Sequence, residues 1–222
     1  MTERFADGTA PATLLLIRHG ETAWNAETRI QGQLDVPLSR TGFWQAGRLA
    51  ERLADEPIDA IVASDFARAW MTAQPIAQQR RFDALPDVRL RERHFGVFQG
   101  LTLEEIARDF PVEFAAWRDR DPDWAMPGGE SATAFKARVL EALEDLAVRY
   151  AGRTVAVVAH GGVLDVAYRH ARSLAWDAPR EHNMVNAAVN RVTAHAQPLA
   201  IEIVAWGDVA HLVDARDEIP DG

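Results

Sequence analysis

The sequence contains no cysteine. That removes disulfides, thiol nucleophiles and thiolate metal sites at once, and it agrees with a reducing compartment. It also lacks any excess of basic charge. The formal net charge is −9 over 222 residues, so no general field draws nucleic acid or an anionic membrane, and any anion site has to be locally basic. No apolar run approaches the roughly 20 residues that span a bilayer, and residues 1–11 hold no signal-peptide core. The expectation is a cytoplasmic protein with neither nucleic acid nor membrane as partner. Internal repeats, low-complexity segments, HExxH and other metal-ligand spacings are all missing. Charges of both signs are scattered along the chain.

What is present is length enough for one well-buried domain over residues 1–222. Residues 1–12, MTERFADGTAPA, read as a loose tail. A strand is predicted at Thr13–Ile17. After the loop IQGQLDVPLS, Phe43, Ala46, Leu49, Ala50 and Leu53 recur at helical spacing. IDAIVAS reads as a short buried strand, FARAWMTAQPIAQQ as a helix and VRLRER as a further strand. Thr102 and Glu105 form a T-x-x-E capping box that opens a helix through LEEIARDF, with Pro111 punctuating its far end and a second helical segment around Trp117. Ser131 reads as the N-cap of a helix whose Phe135, Val139, Leu143, Leu146 and Tyr150 share one face. Gly152 then breaks that helix before the strand TVAVVA. A helix follows from about Val163 to His170, and MVNAAVNRV and LAIEIVAW read as strands that extend or edge the sheet.

Alternating strands and helices, with continuously apolar strands, predict an α/β fold with a mostly parallel central sheet flanked by helices on both faces. Ligands in such folds bind beyond the carboxyl ends of the strands. Those ends carry Arg18 and His19, then Ser64 and Arg68, then Glu92 within VRLRER, and finally His160. Alone, each has an ordinary reading: a structural histidine, a solvated arginine, a carboxylate facing water. Together, two histidines, two arginines and a carboxylate describe a site for a tetrahedral anion. Arg18 and Arg68 can hold a phosphoryl group with bidentate forks. One histidine can attack phosphorus through a neutral ring nitrogen while the other donates to an equatorial oxygen. Glu92 can protonate the departing alkoxide. Gly20 and Gly161, one after each histidine, suit tight strand-to-loop turns that bring amides to an oxyanion. His94 is read as pocket rim or structural, and His170, His182, His195 and His211 as surface or packing groups. The tryptophans are read as core and pocket wall.

RHGETAWN, SDFARAWMTAQ, LRERHFGVFQG, PGGES and VVAHGG, in this order, resemble the motif series of the histidine phosphatase superfamily, which includes cofactor-dependent phosphoglycerate mutases. The resemblance implies that His19 is the phosphorylated nucleophile, His160 its partner, and Glu92 the proton donor. It implies that Arg18, Arg68 and Asn25 contact phosphate, and that Gln31 and Gly32 belong to a substrate-facing loop. The expected activity is hydrolysis of a small phosphorylated metabolite through phosphohistidine, with no cofactor and no metal, and with residues 101–127 capping the substrate. DPDWAMPGGES is similar to phosphatases that act on glycosylated phosphoglycerate. The alternative is a mutase, whose motif ERHFGVFQG resembles closely. Against it stand a short segment between Gly100 and Gly128, and Gly162 where mutases usually carry Asn. A non-catalytic phosphate-binding module is a third reading, opposed by the presence of every reactive residue. A homodimer is left open as the assembly.

Overall fold

Strand β1 (Ala12–Arg18) shows why the chain builds three layers. Its alternate side chains leave the backbone on opposite sides, Leu14 and Leu16 toward one apolar cluster and Leu15 and Ile17 toward another. Both faces are therefore apolar, and both need covering. Fully burying each such side chain contributes roughly 1.5–3 kcal/mol. The computed structural model describes residues 10–180 and 182–212, so most of the expected tail at 1–12 lies outside the described residues, and its last residue, Ala12, is buried in β1.

The remaining elements are α1 (Ala23–Ala26), α2 (Arg40–Arg52), β2 (Ala60–Ala63), α3 (Ala67–Arg80), β3 (Leu85–Pro86), α4 (Leu103–Asp109), α5 (Pro111–Arg118), α6 (Ala132–Arg149), β4 (Thr154–Ala159), α7 (Gly161–Arg172), β5 (Val189–His195) and β6 (Ala200–Asp208). The strands form one six-stranded sheet in the order β3-β2-β4-β1-β5-β6. β1 to β4 run parallel, and β5 and β6 add an antiparallel edge. Phe135 and Val139 of α6 and Val163 and Leu164 of α7 cover one face. Leu49 of α2 and Ala69, Ala73 and Ile76 of α3 cover the other. The architecture is the expected one.

Several local expectations need correction. VRLRER is not a strand: Val88–Leu90 is a 3₁₀ turn, and Glu92 follows it in irregular chain. The backbone carbonyls there are taken by a side chain in place of a ladder, for Arg138 donates to the carbonyls of Arg89, Arg91 and Glu92 at 2.8, 2.7 and 3.0 Å. Only the second half of MVNAAVNRV is a strand. Phe43 does not share the buried face of α2 but is 55% exposed. The Thr102 and Glu105 capping box forms as expected, whereas Pro111 opens α5 instead of closing α4. α4, α5 and the loop after them pack around a separate apolar cluster of Phe98, Ile106 and Met126.

Candidate active site

The parallel pairing of β1, β4 and β2 puts three chain ends side by side. Arg18 is in register with Ala159, the His19 amide donates to the Ala159 carbonyl at 2.9 Å, and the Ser64 amide donates to the Val158 carbonyl at 2.9 Å. His19 and His160 thereby meet with ring centres 5.2 Å apart, and both are buried. His19 Nδ1 lies 2.7 Å from the Gly20 carbonyl. A carbonyl oxygen only accepts, so Nδ1 carries the proton and Nε2 keeps its lone pair. His160 Nε2 is 2.8 Å from Ser64 Oγ, which leaves Nδ1 as a buried atom with no partner. Burial first, then the positive charges of Arg68 and Arg18, hold the His19 ring well below its ordinary value of 6.5. The same order of causes, with His19 itself between the two arginines, lowers His160. Both rings are neutral in the unliganded site.

The arginines are held by carbonyls. Arg68, entirely buried on the first turn of α3, donates to the carbonyls of Leu34 at 2.9 Å and Gly32 at 2.7 Å. Arg18 donates to the Met184 carbonyl. Carbonyls fix the guanidinium planes without neutralising them, and the Nε atoms of both remain buried and unpartnered. Burial pushes Arg68 down to about 10 and lowers Arg18 as well. Two desolvated cations with unspent donors favour an incoming anion strongly. Glu92 stands across the site, its carboxylate accepting from the Arg93 amide at 2.7 Å and the Gly162 amide at 2.9 Å.

Of the sequence-level candidates, Arg18, His19, Asn25, Gln31, Gly32, Arg68, Glu92 and Gly161 all line one pocket, and His160 abuts it through His19. Asn25 spends its side-chain oxygen on the Thr22 amide and on Asn186 Nδ2, while Gln31 Oε1 is buried without a partner. The glycines behave differently from expectation. Gly20 turns its amide to Thr72 Oγ1 at 2.9 Å, not to the pocket, and a Cβ on it would lie 2.7 Å from the Gly42 carbonyl oxygen. Close approach of β1 to α2 is what excludes a side chain there. Gly161 opens α7 directly behind His160, so the turn leads from strand to helix.

The pocket encloses about 1020 Å³ and extends well beyond the histidines. Its outer wall holds Trp117, Trp124 and Trp176, which fits the expectation for tryptophan, together with Arg93, Arg118, Arg169 and Arg180. Sequence reading singles out neither Arg93 nor Arg169 nor Arg180. His182, expected at the surface or in packing, lies in this wall, stacked on Tyr168 at 3.8 Å between ring centres. His94 accepts from the Gly96 amide at 3.1 Å and braces a turn. Ser64 and Asn186, which bonds the His19 carbonyl at 2.9 Å, also support the site. Among the described residues no group of three or more His, Cys, Asp or Glu side chains is placed to hold a metal ion, and no helix is long and apolar enough to cross a membrane.

Known proteins are similar to this chain in sequence and in fold. Phosphoglycerate mutase-like protein 4 of Arabidopsis thaliana is 40% identical over 204 residues, covering 90% of this chain and 87% of its own. The metal-independent phosphoserine phosphatase of the same plant is 40% identical over 205 residues, covering 90% and 82%. The native structure of a mycobacterial glucosyl-3-phosphoglycerate phosphatase superposes with a TM-score of 0.79 at 33% identity, over 89% of this chain and 99% of that one. The profile of the histidine phosphatase superfamily (branch 1) matches residues 14–208, and with that span the chain belongs to the histidine phosphatase superfamily.

Proposed function

We propose that this protein is a phosphomonoesterase that hydrolyses a small phosphorylated metabolite through a phosphohistidine on His19, within a single domain whose residues 101–127 cap the substrate. One observation carries the reading: a neutral, proton-ordered His19 lies beside two buried guanidinium groups with donors to spare. In the first step the Nε2 lone pair forms a bond to phosphorus and the ester P–O bond breaks. Glu92 gives its proton to the departing oxygen. Arg18, Arg68 and the Nδ1–H of His160 stabilise the equatorial oxygens as charge spreads over them. In the second step water attacks phosphorus, Glu92 takes a proton from it, and the P–N bond breaks to release phosphate and restore His19.

The outer wall supports a substrate with a second anionic group. Arg118 is exposed there, and Arg180, half-exposed, is held only loosely, 3.3 Å from Asp165. Two relatives whose names specify phosphoserine and glucosyl-3-phosphoglycerate point to phosphate esters that also carry a carboxylate. The tryptophans provide flat surfaces for a larger attached group.

The nucleophile assignment is tested by His19→Ala and by rapid acid quench with labelled substrate. The wild type is expected to yield an acid-labile phosphoenzyme. The variant is expected to yield none and to lose turnover almost completely. Substantial turnover without His19 sinks the assignment.

A further inference from the structure

The other reactive groups of the site stand on regular structure or at its end: Arg18 and His19 at β1, Arg68 on α3 and His160 at the start of α7. Glu92 does not. It lies in irregular chain after the turn at Val88–Leu90, and among the described residues neither its amide nor its carbonyl bonds another backbone group. A side chain holds this segment instead. Arg138, half-buried on α6, gives Nη1 to the carbonyls of Arg89 at 2.8 Å and Arg91 at 2.7 Å, and Nη2 to the carbonyl of Glu92 at 3.0 Å. Its other N–H groups go to Glu130, from Nη2 to Oε1 at 2.5 Å and from Nε to Oε2 at 3.1 Å. A guanidinium carries five N–H donors in a fixed fork, and here all five are spent. Glu130 in turn grips the chain on the far side of Glu92. Its amide donates to the His94 carbonyl at 2.9 Å, and its Oε1 accepts from the His94 amide at 2.8 Å.

We propose that Arg138 is a positioning residue for proton transfer: its five bonds fix the backbone from which the Glu92 carboxyl reaches the leaving oxygen. Phe135, Val139 and Leu143 root α6 in the core, so the clamp ties an irregular segment to a fixed helix. Arg138 itself does not line the pocket and acts through Glu92. Misplacing a catalytic group by about 1 Å can cost on the order of a hundredfold in rate. The role belongs to the shape of the guanidinium. Lysine brings three donors on a compact charge and cannot serve five acceptors. After burial, Arg68, His19 and Arg18, the charge of Arg138 also helps to lower His160, and lysine keeps that charge while losing the fork. The proposal rests on the reading of Glu92 as proton donor given above, and the test separates the two.

The test is a cycle of Arg138→Lys, Glu92→Ala and the double variant, assayed on an alkyl phosphate and on nitrophenyl phosphate, whose leaving group scarcely needs a proton. General acid assistance contributes on the order of a hundredfold or more. Arg138→Lys is expected to lose about tenfold or more of kcat on the alkyl ester, to lose less than about threefold on nitrophenyl phosphate, and to keep its vanadate inhibition. In the Glu92→Ala background the clamp is disturbed in the same way but no acid is left to misplace. There Arg138→Lys is expected to change either rate by less than about twofold. Wild-type rates in Arg138→Lys overturn the proposal, because charge alone then suffices. Equal loss on both esters, or the same loss repeated in the Glu92→Ala background, also overturns it, and a selective loss with Glu92→Ala then leaves Glu92 as the acid. Equal loss on both esters with Glu92→Ala overturns the acid assignment itself. Melting curves of all variants identify a fold defect. Should Arg138→Lys melt near the assay temperature, Glu130→Gln, which keeps the shape of the clamp and withdraws one acceptor from Arg138, decides the same question by the same comparison of esters.

Discussion

As the proposed nucleophile, His19 needs a lone pair on Nε2, and the Gly20 carbonyl together with burial keeps it there. The same burial has a thermodynamic consequence. Both His19 and His160 are depressed in the folded state, so below the ordinary value of 6.5 the unfolded chain binds more protons than the folded one. Stability therefore rises with pH through the window beneath 6.5 and is lost as pH falls through it. Melting curves at pH 7 and pH 5 are expected to show a smaller acid-induced drop for His19→Gln than for the wild type. An identical drop would mean that the ring is not held neutral. The histidines themselves were legible because each ends an apolar run, a pattern contained in a few consecutive residues. Ser64 and Gly162 were visible as letters, but their partners were not. The contact of Ser64 with His160 requires β2 and β4 to pair in one register, and the bond from the Gly162 amide to Glu92 depends on a carboxylate arriving from a loop remote in sequence.

Among the elements, α2 approaches the end of β1 so closely that Gly20 and Gly42 face each other through backbone. A Cβ on Gly42 would sit 2.0 Å from the Glu21 carbonyl oxygen, whereas one on Gly47, in the same helix, would meet nothing within 4 Å. Gly42→Ala must displace main chain, at a cost of about 1–3 kcal/mol, and Gly47→Ala should stabilise by up to about 1 kcal/mol through helix propensity. At about 2–4 °C per kcal/mol for a chain of this size, thermal melts should move in opposite directions; a matching response of the two variants would refute the contact. Helices and central strands were readable because their apolar periods are local. VRLRER was misread because its alternation suits a strand, while Asp87 caps the Arg89 amide at 2.9 Å and Arg138 occupies the carbonyls. In MVNAAVNRV the first residues spend their hydrogen bonds on the end of β1: Met184 on Arg18, Asn186 and Ala187 on the carbonyl of His19. No local pattern encodes either competition.

At the scale of the whole molecule, the choice between hydrolysis and mutase chemistry is a choice of which hydroxyl reaches phosphohistidine. A mutase has to exclude water and hold a second phosphate, which calls for a closing lid and unspent cations. The folded wall presents Arg93, Arg118, Arg120, Arg169 and Arg180. Their commitments decide how much this matters. Arg169 is spent on Asp165 and on the carbonyls of Ala175 and Ala178. Arg120 is turned to the carbonyls of Asp177 and Ala178, and Arg93 reaches the Glu130 carbonyl at 3.0 Å. Arg118 remains, and Arg180 is held by Asp165 only through long bonds of 3.3 and 3.4 Å, together enough for one carboxylate and too few for a dianion beside the acidic residues Glu104, Glu105, Asp109, Glu113, Asp119, Asp121 and Asp123. Water is thus the expected acceptor. In the proposed reaction, positive charge at the transferring group is supplied by Arg18 and Arg68, the task metal ions perform in many other phosphoryl-transfer sites. Enzyme exhaustively treated with chelator, given phosphoglycerate and a bisphosphoglycerate primer, is expected to accumulate inorganic phosphate with only trace isomerisation. Isomerisation that outruns phosphate release would make the mutase resemblance the better guide, and activity restored only by a divalent metal would show that the two arginines do not suffice.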